Sequence, residues 1–274
     1  MTAVLRCPVR GCGERLNREG ARWTCARNHS FDPHRSGFLN LLQPQDSRSR
    51  DPGDSREAAL SRRRLAGLGH AAALYQALGD VIRSRPRGAG ASLLDVGCGE
   101  GAFLRSLDGI PDLERHGLDI SAPSIGLAAK AASGVAFVVA NADRVIPYAD
   151  RSFDFVTSID ARANASEFER VLVPSGLVLV AVPGPDDLME LRERIQGAKV
   201  LKSRTTRVDQ ELGNLFTLVD RTTVRESRTL EPPDLRDLLT TTYRGFRRSE
   251  RAAVDSLTTM SVTLSHEVLA FQRR

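Results

Sequence analysis

Ser92-Leu93-Leu94-Asp95-Val96-Gly97-Cys98-Gly99-Glu100-Gly101 is the stretch that decides the fold. It is an apolar strand ending in a G-x-G-x-G turn, and a short helical pattern through Phe103, Leu104 and Leu107 follows. Glycines at such a turn let the backbone approach a ligand closely. Some 18 residues on, His116-Gly117-Leu118-Asp119-Ile120-Ser121 reads as a second strand ending in Asp119, where a carboxylate would accept hydrogen bonds from two ribose hydroxyls. The order continues with a third strand from Val135 to Val139 before Asn141-Ala142-Asp143, a fourth from Phe153 to Ile159 and a fifth from Gly176 to Val182. Phe216 to Val219 and Ser261 to Phe271 alternate as strands around a helix near Asp234 to Thr241. Alternating strands and helices predict an α/β domain on a mostly parallel sheet.

Ahead of this domain stand Cys7-Pro8-Val9-Arg10-Gly11-Cys12 and Cys25-Ala26-Arg27-Asn28-His29. The spacing C-x4-C, twelve residues, C-x3-H is that of two knuckles aimed at one zinc ion, with Gly11 and Gly13 giving the first its turn. An odd third cysteine argues against a disulfide pair. The segment from Leu5 to Leu42 is too short to bury its own core, so a structural zinc, worth about 10–16 kcal/mol in finger peptides, offsets much of its ordering entropy. Protein ligands fill all four positions, which leaves no open site for catalysis. His34 is a nearby spare; Trp23 is either packing for the module or a stacking platform for a base.

Residues 43 to 55 are polar and proline-marked, and Arg56 to Arg83 has helical spacing with a break at Gly67 and Gly69. The expected organisation is therefore a zinc module over 1–42, a linker with basic helices over 43–90, and the catalytic-sized domain over 91–274. Charge divides along the same line. Residues 1 to 91 hold 16 Arg against 8 acidic residues, while the remainder is slightly acidic within a total of +5. A basic front suggests a polyanion partner such as a nucleic acid, the alternative being a solvated surface; Arg62, Arg63 and Arg64 sit on one helical turn with the same two readings. The chain is 41% hydrophobic, and no apolar run approaches 18 residues, so neither disorder nor a membrane span is expected. The first residues lack the pattern of a secretory leader, and a cytoplasmic location is the expectation.

The series from Asp95 to Gly101, followed by Asp119 and Asp143, resembles the class I S-adenosylmethionine-dependent methyltransferases, whose loop lacks the G-x-x-G spacing of dinucleotide enzymes. The resemblance implies a Rossmann-like seven-stranded sheet closed by a reversed hairpin. It implies that Asp95, Gly97, Gly99, Glu100 and Gly101 face the methionine part of S-adenosyl-L-methionine, Asp119 the ribose and Asp143 the adenine amino group, with Ile120 and Asn141 beside them. Further strings outside that loop are the cysteine and histidine set, His29-Ser30-Phe31-Asp32, Gly37-Phe38-Leu39-Asn40-Leu41-Leu42, the run Arg48 to Ser55, the helix from Arg62-Arg63 to Gly69-His70, and Val182-Pro183-Gly184-Pro185-Asp186-Asp187-Leu188. Together they resemble the RlmA-type 23S ribosomal RNA guanine-N1 methyltransferases, a family that includes macrolide-resistance methylases.

That resemblance implies a homodimer that methylates N1 of one guanine in a hairpin bordering the peptide exit tunnel. The partner would be 23S rRNA or a large ribosomal subunit precursor, gripped by the zinc modules and by Arg62, Arg63, Arg64 and His70. Asp187 stands where the family usually has a cofactor-side His, and is assigned to the cofactor. Guanine N1 carries a proton that must leave on methylation. Asp160, after the fourth strand, is the candidate acceptor and Arg162 the candidate stabiliser of charge at O6; the alternative is a salt-bridged loop pair. Tyr243 or Phe246 would stack on the extruded base. Two other functions fit the same residues: a regulator that binds RNA and cofactor without catalysis, and a methyltransferase redirected to a small molecule or peptide.

Overall fold

The computed structural model describes residues 3–46, 52–85, 90–197, 204–242 and 254–274. Tyr243, Phe246 and residues 47–51 of the linker lie outside them. The chain opens with three short antiparallel strands in sequential order, β1 (Asn17–Glu19), β2 (Arg22–Thr24) and β3 (Ser30–Phe31). The next strand, β4 (Leu39–Asn40), leaves this small sheet and joins the large one. Helix α1 (Arg56–Gly67) starts at Ser55, whose Oγ accepts from the Ala58 amide at 3.2 Å, and carries Glu57 in its first turn; both complement the exposed N–H groups of a helix start. It ends at Gly67, and α2 (Ala72–Ser84) turns Leu74, Leu78 and Ile82 inward at helical spacing.

The alternation then begins: β5 (Ala91–Val96), α3 (Ala102–Ser106), β6 (Leu113–Asp119), α4 (Ala122–Ala131), β7 (Val135–Val139), β8 (Phe153–Ile159), α5 (Ala165–Val171) and β9 (Leu172–Pro183). Helices α6 (Met189–Gln196) and α7 (Thr205–Leu212) precede β10 (Phe216–Leu230), α8 (Pro232–Thr242) and β11 (Met260–Arg273). The large sheet has the order β10-β11-β9-β8-β5-β6-β7-β4. Pairings from β4 to β9 are parallel, and β11 is antiparallel to both β9 and β10. All six residues of β5 are buried, as a central parallel strand covered on both faces requires. Its Leu94 and Val96 belong to one core layer and Leu93 to the opposite one, which the strand period of two dictates. No helix among the described residues is long and apolar enough to cross a membrane.

Two features differ from the sequence-based expectation. Among the described residues the sheet has eight strands, because the seven of the methyltransferase pattern are joined at one edge by β4, through Leu39 opposite Val138 and Asn40 opposite Val139. A two-residue strand has no periodicity to find. β10 runs eleven residues beyond Val219, to Leu230, paired with β11 throughout. Most of β10 is exposed, so side chains such as Thr222, Thr223, Arg225 and Glu226 carry no apolar alternation. Its partner strand holds it in register through the backbone.

The small sheet is tied to the large one at both ends. The Arg6 amide donates to the Pro147 carbonyl at 3.0 Å, the Ala149 amide to Val4 at 2.8 Å, and the Leu41 amide to Val139 at 2.8 Å. Cys7, Leu16 and Cys25 lie in the same buried cluster as Leu94, Leu118 and Phe153. A module too small to bury a core thus borrows one.

Candidate active site and metal centre

The four predicted metal ligands meet. The ligand atoms of Cys7, Cys12, Cys25 and His29 all lie within 4.8 Å of one another. Cys12 Sγ and Cys25 Sγ are 3.8 Å apart, and His29 Nδ1 is 3.4 Å from both Cys7 Sγ and Cys25 Sγ. A tetrahedral zinc with ordinary bond lengths requires roughly 3.7 Å between sulfurs and 3.5 Å from sulfur to nitrogen. The donor set and its spacing fit that ion. Burial pushes the Cys7 thiol up to about 12 against the pull of the Val9 amide, whereas the His29 and Arg27 amides outweigh burial at Cys25 and hold it at about 7. His34 stacks on Phe38 at 4.4 Å and accepts from the Ser36 amide, apart from this cluster. Trp23 packs against the core as a half-buried side chain.

At the carboxyl end of the sheet the glycine loop closes over the end of β6, with the Gly97 and Cys98 amides donating to the Leu118 carbonyl. Gly97 has φ 79°, and a Cβ there would sit 2.5 Å from the Ala161 Cβ, so the turn after β8 rests directly on the loop. A Cβ on Gly99 would meet nothing within 4 Å, which leaves the cradle open on the ligand side. Asp119 accepts from the Gly99 amide at one oxygen and from the Ser121 amide at the other, each at 2.8 Å. A carboxylate accepts about four hydrogen bonds, so two sites remain for two ribose hydroxyls. The cradle and this acid fit S-adenosylmethionine.

The other predicted cofactor residues divide. Asp95 is buried, accepts from Thr157 Oγ1 at 2.7 Å, and is pushed up to about 7 by burial against the opposing pull of that hydrogen bond. Burial also raises Asp119, opposed by its two backbone donors. Glu100 is buried in an ion pair with Arg105 at 2.8 Å. Asn141 Oδ1 caps the Asp143 amide, and Ile120 is half-buried at the end of β6. Asp187 accepts from the Ser265 amide, and burial pushes it up to about 6.

Asp160 and Arg162 do not pair with each other. Arg162 reaches Asp143 at 3.4 Å, whereas Asp160 Oδ2 lies 3.3 Å from His266 Nε2 of β11. Asp160 has φ 54°, a left-handed conformation that Asp tolerates better than most residues, and its amide donates to Ala181 at 3.0 Å. The four residues expected on RNA also separate. Arg62 Nε is held by Asp54 at 2.8 Å and its Nη2 by the Thr241 carbonyl at 2.9 Å, at the rim of the cofactor site where its charge faces Asp119 and Asp160. Arg64 forks onto both oxygens of Asp237. His70 has a buried Nδ1 without a partner among the described residues. Arg63 is exposed and lines a groove of about 600 Å³ with Tyr75, Gln76, Arg83 and Arg105.

Sequence reasoning missed His266, Asp54 and the inward direction of Arg62. The linker crosses the carboxyl end of β6: the Asp54 carbonyl accepts from Ser121 Oγ at 2.7 Å, and a Cβ on Gly53 would lie 2.9 Å from Ile120 Cγ2. The one usable signal was a lone imidazole in an otherwise core-forming strand.

Residues 5–50 match the family model described as the N-terminal zinc ribbon of RlmA, and residues 94–180 match a methyltransferase domain. A Streptomyces fradiae protein named 23S rRNA (guanine(748)-N(1))-methyltransferase is 31% identical over 83% of this chain and 80% of its own. A Micromonospora griseorubida protein with the provisional name 23S rRNA (guanine-N(1)-)-methyltransferase is 32% identical over 81% of this chain and 79% of its own. Among solved structures, the YcgJ protein of Bacillus subtilis superposes with a TM-score of 0.50 at 19% identity, covering 73% of this chain and 99% of that one, a likeness of fold.

Proposed function

Because the chain belongs to the family of RlmA-type 23S rRNA (guanine-N1)-methyltransferases, enzymes that join a zinc ribbon to an S-adenosylmethionine-dependent domain, we propose that it methylates N1 of one guanine in a 23S rRNA hairpin bordering the peptide exit tunnel. The observation that carries the reading is the seat of the Asp160 turn on Gly97, which brings a carboxylate to the mouth of the cofactor loop.

When bound, S-adenosylmethionine supplies an electrophilic methyl group on a sulfonium. Asp119 and Ile120 hold the ribose side, Asn141 and Asp143 the adenine side, and the loop from Asp95 to Gly101 the methionine side. Alignment of base and methyl provides most of the rate, an effect worth up to about 7–11 kcal/mol. Asp160 takes the N1 proton at its carboxylate, and Arg162, at the same mouth, is assigned the developing charge at O6. Since carboxylates hold Arg62 and Arg64, phosphate contact falls first to Arg63 and its groove, together with the zinc ribbon. The cytoplasmic homodimer of the family is part of this reading; the open β10 edge, with Leu218 and Val219 exposed, offers surface for a second copy.

The test is incubation of zinc-loaded protein with isotopically methyl-labelled S-adenosylmethionine and unmodified bacterial 23S RNA or large subunits, followed by nuclease digestion and mass spectrometry. Label on N1 of one guanine is expected, with reduced macrolide susceptibility in a host expressing the protein. Intact cofactor binding with no label on any RNA would move the assignment to a redirected or non-catalytic member.

A further inference from the structure

β11 is buried along most of its length, yet it carries one imidazole. His266 lies opposite Pro183 of β9 and Val224 of β10, where β8 and β9 run out into the loops that form the site. Its Nε2 meets Asp160 Oδ2 at 3.3 Å, with the two side chains 20% and 35% exposed. The Asp160 backbone is fixed by its bond to Ala181, and the next residue abuts the glycine loop. An acid and an imidazole from opposite sides of β9 therefore converge beside the cofactor cradle.

We propose that His266 is a positioning residue for Asp160: it orients the carboxylate toward the target base and sets its basicity through the charge on the imidazole. The inference rests on the reading of this site as a guanine-N1 methyltransferase. With the imidazole neutral, Nε2–H donates to Asp160 Oδ2 and leaves Oδ1 for the N1 proton. As N1 bonds to the methyl carbon, the carbon–sulfur bond breaks toward sulfur and the N1 proton passes to Oδ1. The cofactor loses its positive charge, the pair goes from −1 to 0, and the carboxylic acid later returns its proton to water. With the imidazole protonated, the adjacent positive charge leaves Asp160 a weak base.

The surroundings set the pH window. Burial lowers His266, but Asp160 and Asp187 outweigh it, against Arg204, and hold the imidazole above its ordinary value of 6.5. Burial raises Asp160, but His266, Arg62 and Arg204 outweigh it and hold the carboxyl low. Tyr75 of α2 also lies within electrostatic reach of Asp160. Neutral imidazole is thus gained as the pH rises through a value above 6.5.

The test compares full-length, zinc-loaded wild type, His266→Gln and His266→Ala in single-turnover methylation of 23S RNA from about pH 5.5 to 9. Alongside it, the His266 imidazole is titrated by NMR in wild type and Asp160→Asn. The wild-type rate should rise with pH on a limb above 6.5. His266→Gln, an uncharged donor, should lose that limb while keeping most of the plateau rate. His266→Ala should lose on the order of tenfold or more in rate with cofactor affinity unchanged, and the imidazole should titrate lower in Asp160→Asn. A wild-type limb in His266→Gln, a wild-type rate in His266→Ala, or an imidazole indifferent to Asp160→Asn would each overturn the proposal. A wild type that methylates no guanine would overturn the functional reading instead, and the NMR titration would still judge the pair.

Discussion

Asp95→Asn should gain stability relative to wild type, in the cofactor-free protein, as the pH rises. Asp95 is 2% exposed and held at about 7, against 3.8 for an ordinary Asp side chain. A group raised on folding contributes stability that is complete below its unfolded value and is lost as the pH climbs through the folded one. At about 1.4 kcal/mol per unit, the ionisable carboxyl weakens the folded state by about 2 kcal/mol at pH 5.5 and about 4 kcal/mol at pH 8. Asparagine keeps an oxygen for the Thr157 hydroxyl and never ionises; the cost of its buried amide protons is the same at both pH values and drops out of the difference. The advantage of the variant over wild type should therefore widen by about 2 kcal/mol between pH 5.5 and 8. Urea unfolding of both zinc-loaded proteins at the two pH values, followed by far-ultraviolet circular dichroism, measures that difference. A gap that does not change with pH would refute the reasoning. On the cofactor placement proposed above, the same variant should bind S-adenosylmethionine more weakly, because the negative charge that Asp95 offers the cationic methionine end is lost.

Chelating the metal, or Cys7→Ser, should lower the melting temperature of the whole chain, since Cys7 and Cys25 share a core with Leu118 and Phe153; differential scanning calorimetry showing an unchanged main transition would contradict this. Gly97→Ala should abolish cofactor binding in calorimetric titration while the far-ultraviolet spectrum persists, because the new methyl would meet Ala161 at a positive φ; wild-type affinity would show that the turn after β8 is not seated on the loop. Arg63→Ala should weaken RNA binding evenly across sequences and reduce the slope of log affinity against log salt by about 1, whereas an unchanged slope would remove Arg63 from the phosphate-contacting set.

The cradle was legible because its chemistry is local. A glycine turn, the acid one strand later and paired metal ligands all announce themselves within a few residues, and Cys7, Cys12, Cys25, His29, Gly97 and Asp119 fall where their spacing places them. Arg62 and Arg64 could not be told from Arg63 because three adjacent arginines look alike in sequence, and only the fold shows that one meets Asp54 and another Asp237. His266 escaped for a different reason. Its partner is 106 positions away, so a lone imidazole in a core-forming strand flags the residue without saying which site it faces. β4 and the far half of β10 escaped because both depend on partners rather than on their own pattern of apolar residues.

The strand that β4 lends to the large sheet also imposes a sequence of events. About a hundred residues separate Leu39 from Val138, and at roughly 5–20 residues per second of synthesis its berth emerges some 5–20 s later. The thiols of Cys7, Cys12 and Cys25 are therefore offered to zinc well before the sheet that will cover them exists. The ion can therefore order the front module while its berth is still unmade, and the β4 edge closes only when β7 arrives, with β8, β9, β10 and β11 still to be added.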